Sequence, residues 1–244
     1  MVDHTVACVT LLTLLAEPLG HLGAAALSAA GANSAGPVPA AVCQVLPRTQ
    51  MRLRLSMVDE GDRLNAGAIS QHASQIWQAE GLSIEWLPPN APPSWKNLDA
   101  WVQIRRGPVA GAESAFGAVR FQGEVPSKLI QVSIANTAKR VVSNLSARLR
   151  LPPGAFFSLE VGDSRQVLER ALGYAVAHEL GHYLLATKEH SGAGLMRQSF
   201  DPAADLAPRS TNATLDPDNR DRLRQRIDMA SQCQAVASVI AQKH

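Results

Sequence analysis

The stretch AVAHELGHYLLATKEHSGAGLM, Ala175 to Met196, holds three of the chain's seven histidines within thirteen residues. His178, Glu179 and His182 fall inside an apolar helical pattern, and His190 lies just past its end. On an α-helix, residues four apart sit one turn above each other on the same face, so His178 and His182 can present two imidazoles to one ion. Glu179 is rotated about 100° around the axis from His178, which aims it beside such an ion rather than at it. The flanks ALGYAVA and YLL are apolar, so the helix is read as mostly buried. Three polar side chains buried on consecutive turns need a shared partner, since burial without one costs several kcal/mol. Two surface histidines with a salt-bridging glutamate would not need such flanks, so a metal is the better reading of His-Glu-x-x-His.

A catalytic zinc takes imidazole nitrogens at about 2.0–2.1 Å and needs a third protein ligand plus an open position. The last glutamate of the chain is Glu189, so no glutamate well past His182 can serve. Asp201 and His190 are the candidates, and His190, eight residues past His182, is the better one. After it comes SGAGLM, in which Ser191, Gly192 and Gly194 suit a tight return closed by Met196.

With HELGH, HS and GLM on the page, the chain resembles the metzincin metallopeptidases, nearest their matrixin-like branch. Their pattern is H-E-x-x-H-x-x-G-x-x-H, followed by a turn that ends in Met under the metal. The resemblance implies Zn2+ held by His178, His182 and His190, with Glu179 as general base and Met196 as the Met-turn residue. It implies an α+β fold: a five-stranded mixed twisted sheet with its fourth strand on the edge, an active-site helix and a C-terminal helix. The implied activity is zinc-dependent endopeptidase cleavage of a peptide or protein substrate. Two departures stand out. The third His comes eight residues after the second rather than six, and Leu185 replaces the usual Gly, so LLATKEH must turn differently. These departures support an alternative, a catalytically degenerate peptidase-fold module that binds peptide or protein. The intact Glu179 opposes it, because a binder has no need of a base.

The rest of the chain is consistent with that order of elements. MRLRLSMVD (51–59), LSIEWL (82–87), AWVQIRR (100–106), FGAVRFQG (116–123) and KLIQVSIA (128–135) read as strands. The glycine inside FGAVRFQG suits an edge strand, along which an extended peptide can add. A helix over 62–81 has Asp62 as N-cap and Gly81 as its stop, and Asp163 begins the long helix through His182. The stretch 136–162 contains LPPG and reads as no single regular element. Asp216 and Pro217 open a final helix, whose RDRLRQR run reads as a solvated face. Trp77, Trp86, Trp95 and Trp101 read as core or loop anchors, and His72 as surface.

A net charge of +2 and 5 % aromatics give no reason to expect nucleic acid or an anionic membrane as partner. Thr5 to Ala16 is an apolar run of twelve, followed by an Ala-rich stretch, so residues 1–36 read as a signal peptide and flexible leader. The run is too short for stable membrane insertion. A secreted or periplasmic monomer with one catalytic domain over 43–244 is expected. Removal of Cys8 with the leader leaves Cys43 and Cys233, a possible disulfide in an exported chain or else two separate thiols.

Overall fold

In β3 (Ala100–Arg105) the alternation of the sequence becomes burial: Ala100, Val102 and Ile104 are buried while Trp101 is half exposed. A strand turns successive side chains to opposite faces, so one apolar row faces the core. The structure is a computed structural model that describes residues 50–58, 64–88, 90–91, 99–149, 161–206 and 213–241. The leader, Cys43, Trp95 and the side chain of Cys233 lie outside the described residues. Around β3 the chain runs β1 (Gln50–Val58), α1 (Ala66–Ala79), β2 (Ser83–Leu87), β3, β4 (Gly117–Gln122), β5 (Val125–Ser133), α2 (Ile134–Leu149), α3 (Val161–Leu185), α4 (Pro202–Asp205) and α5 (Pro217–Ala241).

The strands pair in the order β2-β1-β3-β5-β4. The β1–β2, β1–β3 and β3–β5 pairs are parallel, and β4 runs antiparallel to β5 at the edge. The tight Gly123–Glu124 connection makes that last pair antiparallel, because parallel neighbours need a long crossover. The result is a mixed α+β fold with an open mixed sheet. Helix α1 packs on β2 and β1, α3 packs on β5 and β4, and the two helices pack on each other. Trp77 stands at their junction, fully buried, and its indole N–H donates to the Ala177 carbonyl at 3.2 Å. Among the described residues, no helix is long and apolar enough to cross a membrane.

Several expectations need correction. Helix α1 begins at Ala66, and Asn65 rather than Asp62 caps it, accepting from the Ala68 N–H at 3.2 Å. Helix α3 starts at Val161, before the expected Asp163. Within 136–162, read as no single regular element, the residues to Leu149 belong to helix α2, whose apolar positions are interspersed with Asn, Ser, Lys and Arg, and α3 begins at Val161. His72 does not face solvent. It is half-buried against Gly173 of α3, and burial together with the nearby Arg170 charge lowers its pKa. The RDRLRQR run is not simply a solvated face: Arg220 reaches Glu80, and Arg226 donates to the Leu184 carbonyl at 3.3 Å.

The α1–α3 contact depends on Gly173. A Cβ there would fall 2.7 Å from His72 Cβ and 2.8 Å from the Ile69 carbonyl oxygen. Two backbones must then separate, as in an overpacked core. Gly173→Ala is expected to cost about 2 kcal/mol and to lower Tm by about 4–8 °C. A calorimetric scan of the two proteins checks it, and an unchanged Tm would mean the helices are further apart than described here.

Candidate metal centre

His178 and His182 lie on the buried face of α3, one turn apart, and His190 comes from the segment after it. One ligand atom from each of the three falls within 4.8 Å of the others. The His178 and His190 rings stack with centroids 5.3 Å apart, and His182 meets both edge-on at 4.8 and 4.9 Å. Of the two candidates for a third ligand, His190 joins the cluster and Asp201 does not.

Two backbone carbonyls set the tautomers. His178 Nδ1 lies 2.7 Å from the Leu195 oxygen and His182 Nδ1 lies 2.8 Å from the Thr187 oxygen. A carbonyl can only accept, so each Nδ1 carries the hydrogen and donates it. Both Nε2 atoms are left with a bare lone pair, and they face one another at 3.2 Å. Two such lone pairs repel unless a cation lies between them. A proton is a poor candidate: burial first, then the neighbouring His182, pushes the His178 pKa down to about 3, and burial lowers His182 and His190 as well. A metal ion fits. Two nitrogens about 2.0–2.1 Å from one tetrahedral ion lie about 3.3 Å apart, close to the observed separation.

Glu179 is buried beside this pair, and burial pushes its carboxyl up to about 8. A cation held by the imidazoles would favour the carboxylate again. Space for Glu179 comes from Gly117 on β4, where a Cβ would lie 2.6 Å from Glu179 Cγ. Met196 is fully buried under the same helix. Its sulfur sits against Gly181, between the two helical histidines in sequence, where a Cβ would collide with it.

The end of α3 explains how the chain reaches His190. Helix α1 ends in a Schellman motif: Gly81 has φ 83°, its N–H donates to the Gln78 carbonyl, and the Leu82 N–H donates to the Trp77 carbonyl. Helix α3 ends the same way, with the Ala186 N–H on the Tyr183 carbonyl and the Thr187 N–H on the His182 carbonyl. Here Ala186, at φ 47°, stands in glycine's place. The longer spacing is used: it puts the Thr187 carbonyl where it holds His182.

A second support comes from far away in sequence. The Glu80 carboxylate, fully buried, takes Arg220 Nε at 2.8 Å and Nη2 at 3.1 Å, and accepts the Leu215 N–H at 2.8 Å. This fixes the chain just before α5. From there the Thr214 carbonyl accepts the Leu195 N–H at 2.8 Å, and the Leu195 carbonyl in turn accepts from His178. The third histidine's segment is tied on the other side, where Ser191 donates from its backbone to the Met196 carbonyl at 2.9 Å.

Sequence patterns pointed to the three histidines, which the fold brings together, and to Glu179, which is buried beside them. They missed Leu195 and Thr187, because a backbone carbonyl leaves no mark on composition. Two other residues left a signal. Gly117 is a glycine inside a strand, and Glu80 is an acid at a helix C-terminus, where the macrodipole disfavours it unless a cation answers.

The centre opens on a cleft of about 380 Å³ between β4 and α3. Its walls include Phe116, Gly117, Val119 and Phe121 on one side and the three histidines and Glu179 on the other.

No protein-family model matches the chain, and no curated protein matches it. Among solved structures, archaemetzincin from Methanopyrus kandleri is similar over 75 % of this chain and 99 % of that one, at 15 % identity and a TM-score of 0.45. So distant a likeness fixes neither a subfamily nor a reaction.

Ala186 gives a test by sign. In a left-handed position a glycine is preferred over alanine by about 1–2 kcal/mol, partly offset by the greater freedom glycine brings to the unfolded chain. Ala186→Gly is therefore expected to stabilise the fold by about 0.5–1 kcal/mol in denaturant titration. At an ordinary right-handed helical position the same change would destabilise, and that result would contradict the described turn.

Proposed function

We propose that the chain is a zinc-dependent endopeptidase of the metzincin kind. The observation that supports this most is the pair of facing imidazole lone pairs with a buried carboxylate beside them, open to a cleft along an edge strand. His178, His182 and His190 would hold the ion, and Met196 would underlie it as the Met-turn residue. Zinc, when bound, is a Lewis acid that acidifies water and polarises a carbonyl.

The chain's own residues supply the rest. The edge of β4 offers unpaired backbone groups to an extended peptide, which would lie across the cleft as a further strand. Glu179 stands where it can take a proton from water and later deliver it to the leaving amine. Burial raises its proton affinity and a cation on the imidazoles would lower it again, so that with the ion bound the carboxylate would be ready to accept a proton. The Leu195 and Thr187 carbonyls hold both helical imidazoles in the tautomer that leaves Nε2 free. A degenerate binding module has no use for such a base. Export is part of the proposal, on the strength of the apolar run from Thr5 to Ala16 and the leader after it.

Glu179→Gln is the test. It keeps the shape, leaves the ligands intact and removes the proton acceptor. The expected result is retained zinc content with kcat/KM on a peptide library lowered by about 10²–10⁴-fold. Undiminished cleavage by the zinc-loaded variant would contradict the role given to Glu179.

A further inference from the structure

We infer that the cleft selects extended peptides carrying acidic side chains on both sides of the bond to be cut, and that Arg140 and Lys188 recognise them. This rests on the peptidase reading and names the substrate class of the same cleft. The two ends of the edge strand are built alike. Phe116 immediately precedes β4, and the Arg140 guanidinium carbon sits 5.4 Å from its ring centre. Phe121 is near the far end of β4, and Lys188 Nζ sits 5.4 Å from its ring centre. Both cations line the cleft with the histidines, and both are exposed. Apart from Glu179 they carry the only fixed charges among the described residues of its wall.

Each cation is placed by an aromatic platform, which orders a long side chain before any ligand arrives. Phe116 is itself fixed, meeting Phe200 edge-on at 5.6 Å. Among the described residues no carboxylate forms an ion pair with Arg140. Lys188 has a carboxylate nearby, Glu124 at 3.8 Å, but both side chains are more than half exposed. Such a pair is worth little and exchanges readily for a ligand carboxylate. In the adjoining depression Lys139 adds a third cation beside Arg140. Glu113 is there too, but its carboxylate is turned to its own loop, accepting the Gly111 N–H at 3.0 Å.

The spacing sets the pattern. Five residues of extended strand separate Phe116 from Phe121, about 17 Å, less the shortening of the irregularity between Val119 and Phe121. A peptide paired along β4 therefore meets one cation near each end, with Glu179, packed against Gly117, between them and nearer the Arg140 end. Because successive side chains of an extended peptide alternate faces, the matching ligand is a run with carboxylates four residues apart, both turned to the cleft. Arg140 suits it best, since a guanidinium can meet a carboxylate with two hydrogen bonds.

The test uses two peptides blocked at both ends, identical except for Glu or Gln at the two flanking positions. Cleavage is followed with the zinc-loaded protein. Binding is followed in parallel by calorimetry with the Glu179→Gln variant, so the preference is read whether or not cleavage occurs. The Glu peptide is expected to be favoured by about two- to fivefold for each cation, with the ratio shrinking as salt rises from about 0.05 to 0.5 M. Arg140→Gln and Lys188→Gln are each expected to remove one factor from the Glu-over-Gln ratio. Equal handling of the two peptides, or a preference that survives both substitutions, overturns the inference. Acid-selective binding without cleavage upholds it and overturns the peptidase reading instead.

Discussion

Two imidazole lone pairs facing each other at 3.2 Å inside a protein are the constraint on which this structure turns. Burial makes protonation of either ring costly, so a cation between them is what would relieve the repulsion. Their orientation is not accidental. Each ring is turned by a carbonyl that accepts from its other nitrogen, and each carbonyl belongs to a segment held elsewhere. The Thr187 carbonyl is placed by the left-handed turn at Ala186, and the Leu195 carbonyl by the chain leading into α5. Each helical imidazole is thus oriented by a hydrogen bond from within the chain.

The fold serves that arrangement from both sides. The packing of α1 on α3, through Trp77 and Gly173, fixes the helix that carries two of the three histidines. The Glu80–Arg220 pair joins the end of α1 to the start of α5, and so to the segment that holds His178. Opposite, a Cβ at position 117 would strike both the Gln131 carbonyl oxygen of β5 at 2.5 Å and Glu179 Cγ of α3 at 2.6 Å, so only glycine fits there. The contact leaves Glu179 between the strand and the three histidines, at the wall of the cleft.

What the sequence revealed and what it concealed have separate physical causes. The His178–His182 spacing was legible because helical geometry alone brings those side chains together. The strands were legible where one face is buried, as in Ala100, Val102 and Ile104. Helix α2 was not, because its polar residues are scattered and its companion segment begins with a proline pair. His72 was misread because two glutamines flank it, while the decisive fact, a glycine opposite on α3, lies a hundred residues away. Arg220 was hidden for the same reason: its partner Glu80 is 140 residues distant. Long-range pairs carry no local signature, and here they are what tie the histidine-bearing segments in place.

The central claim is that one ion is held jointly by residues 178, 182 and 190. The most direct measurement is the zinc affinity of the purified chain by competition with a coloured chelator, for the native sequence and for His190→Ala. The account predicts about one tightly held zinc per chain and a loss of more than about 100-fold in affinity in the variant. A native chain that binds no zinc, or a variant that binds it as tightly, would contradict the account.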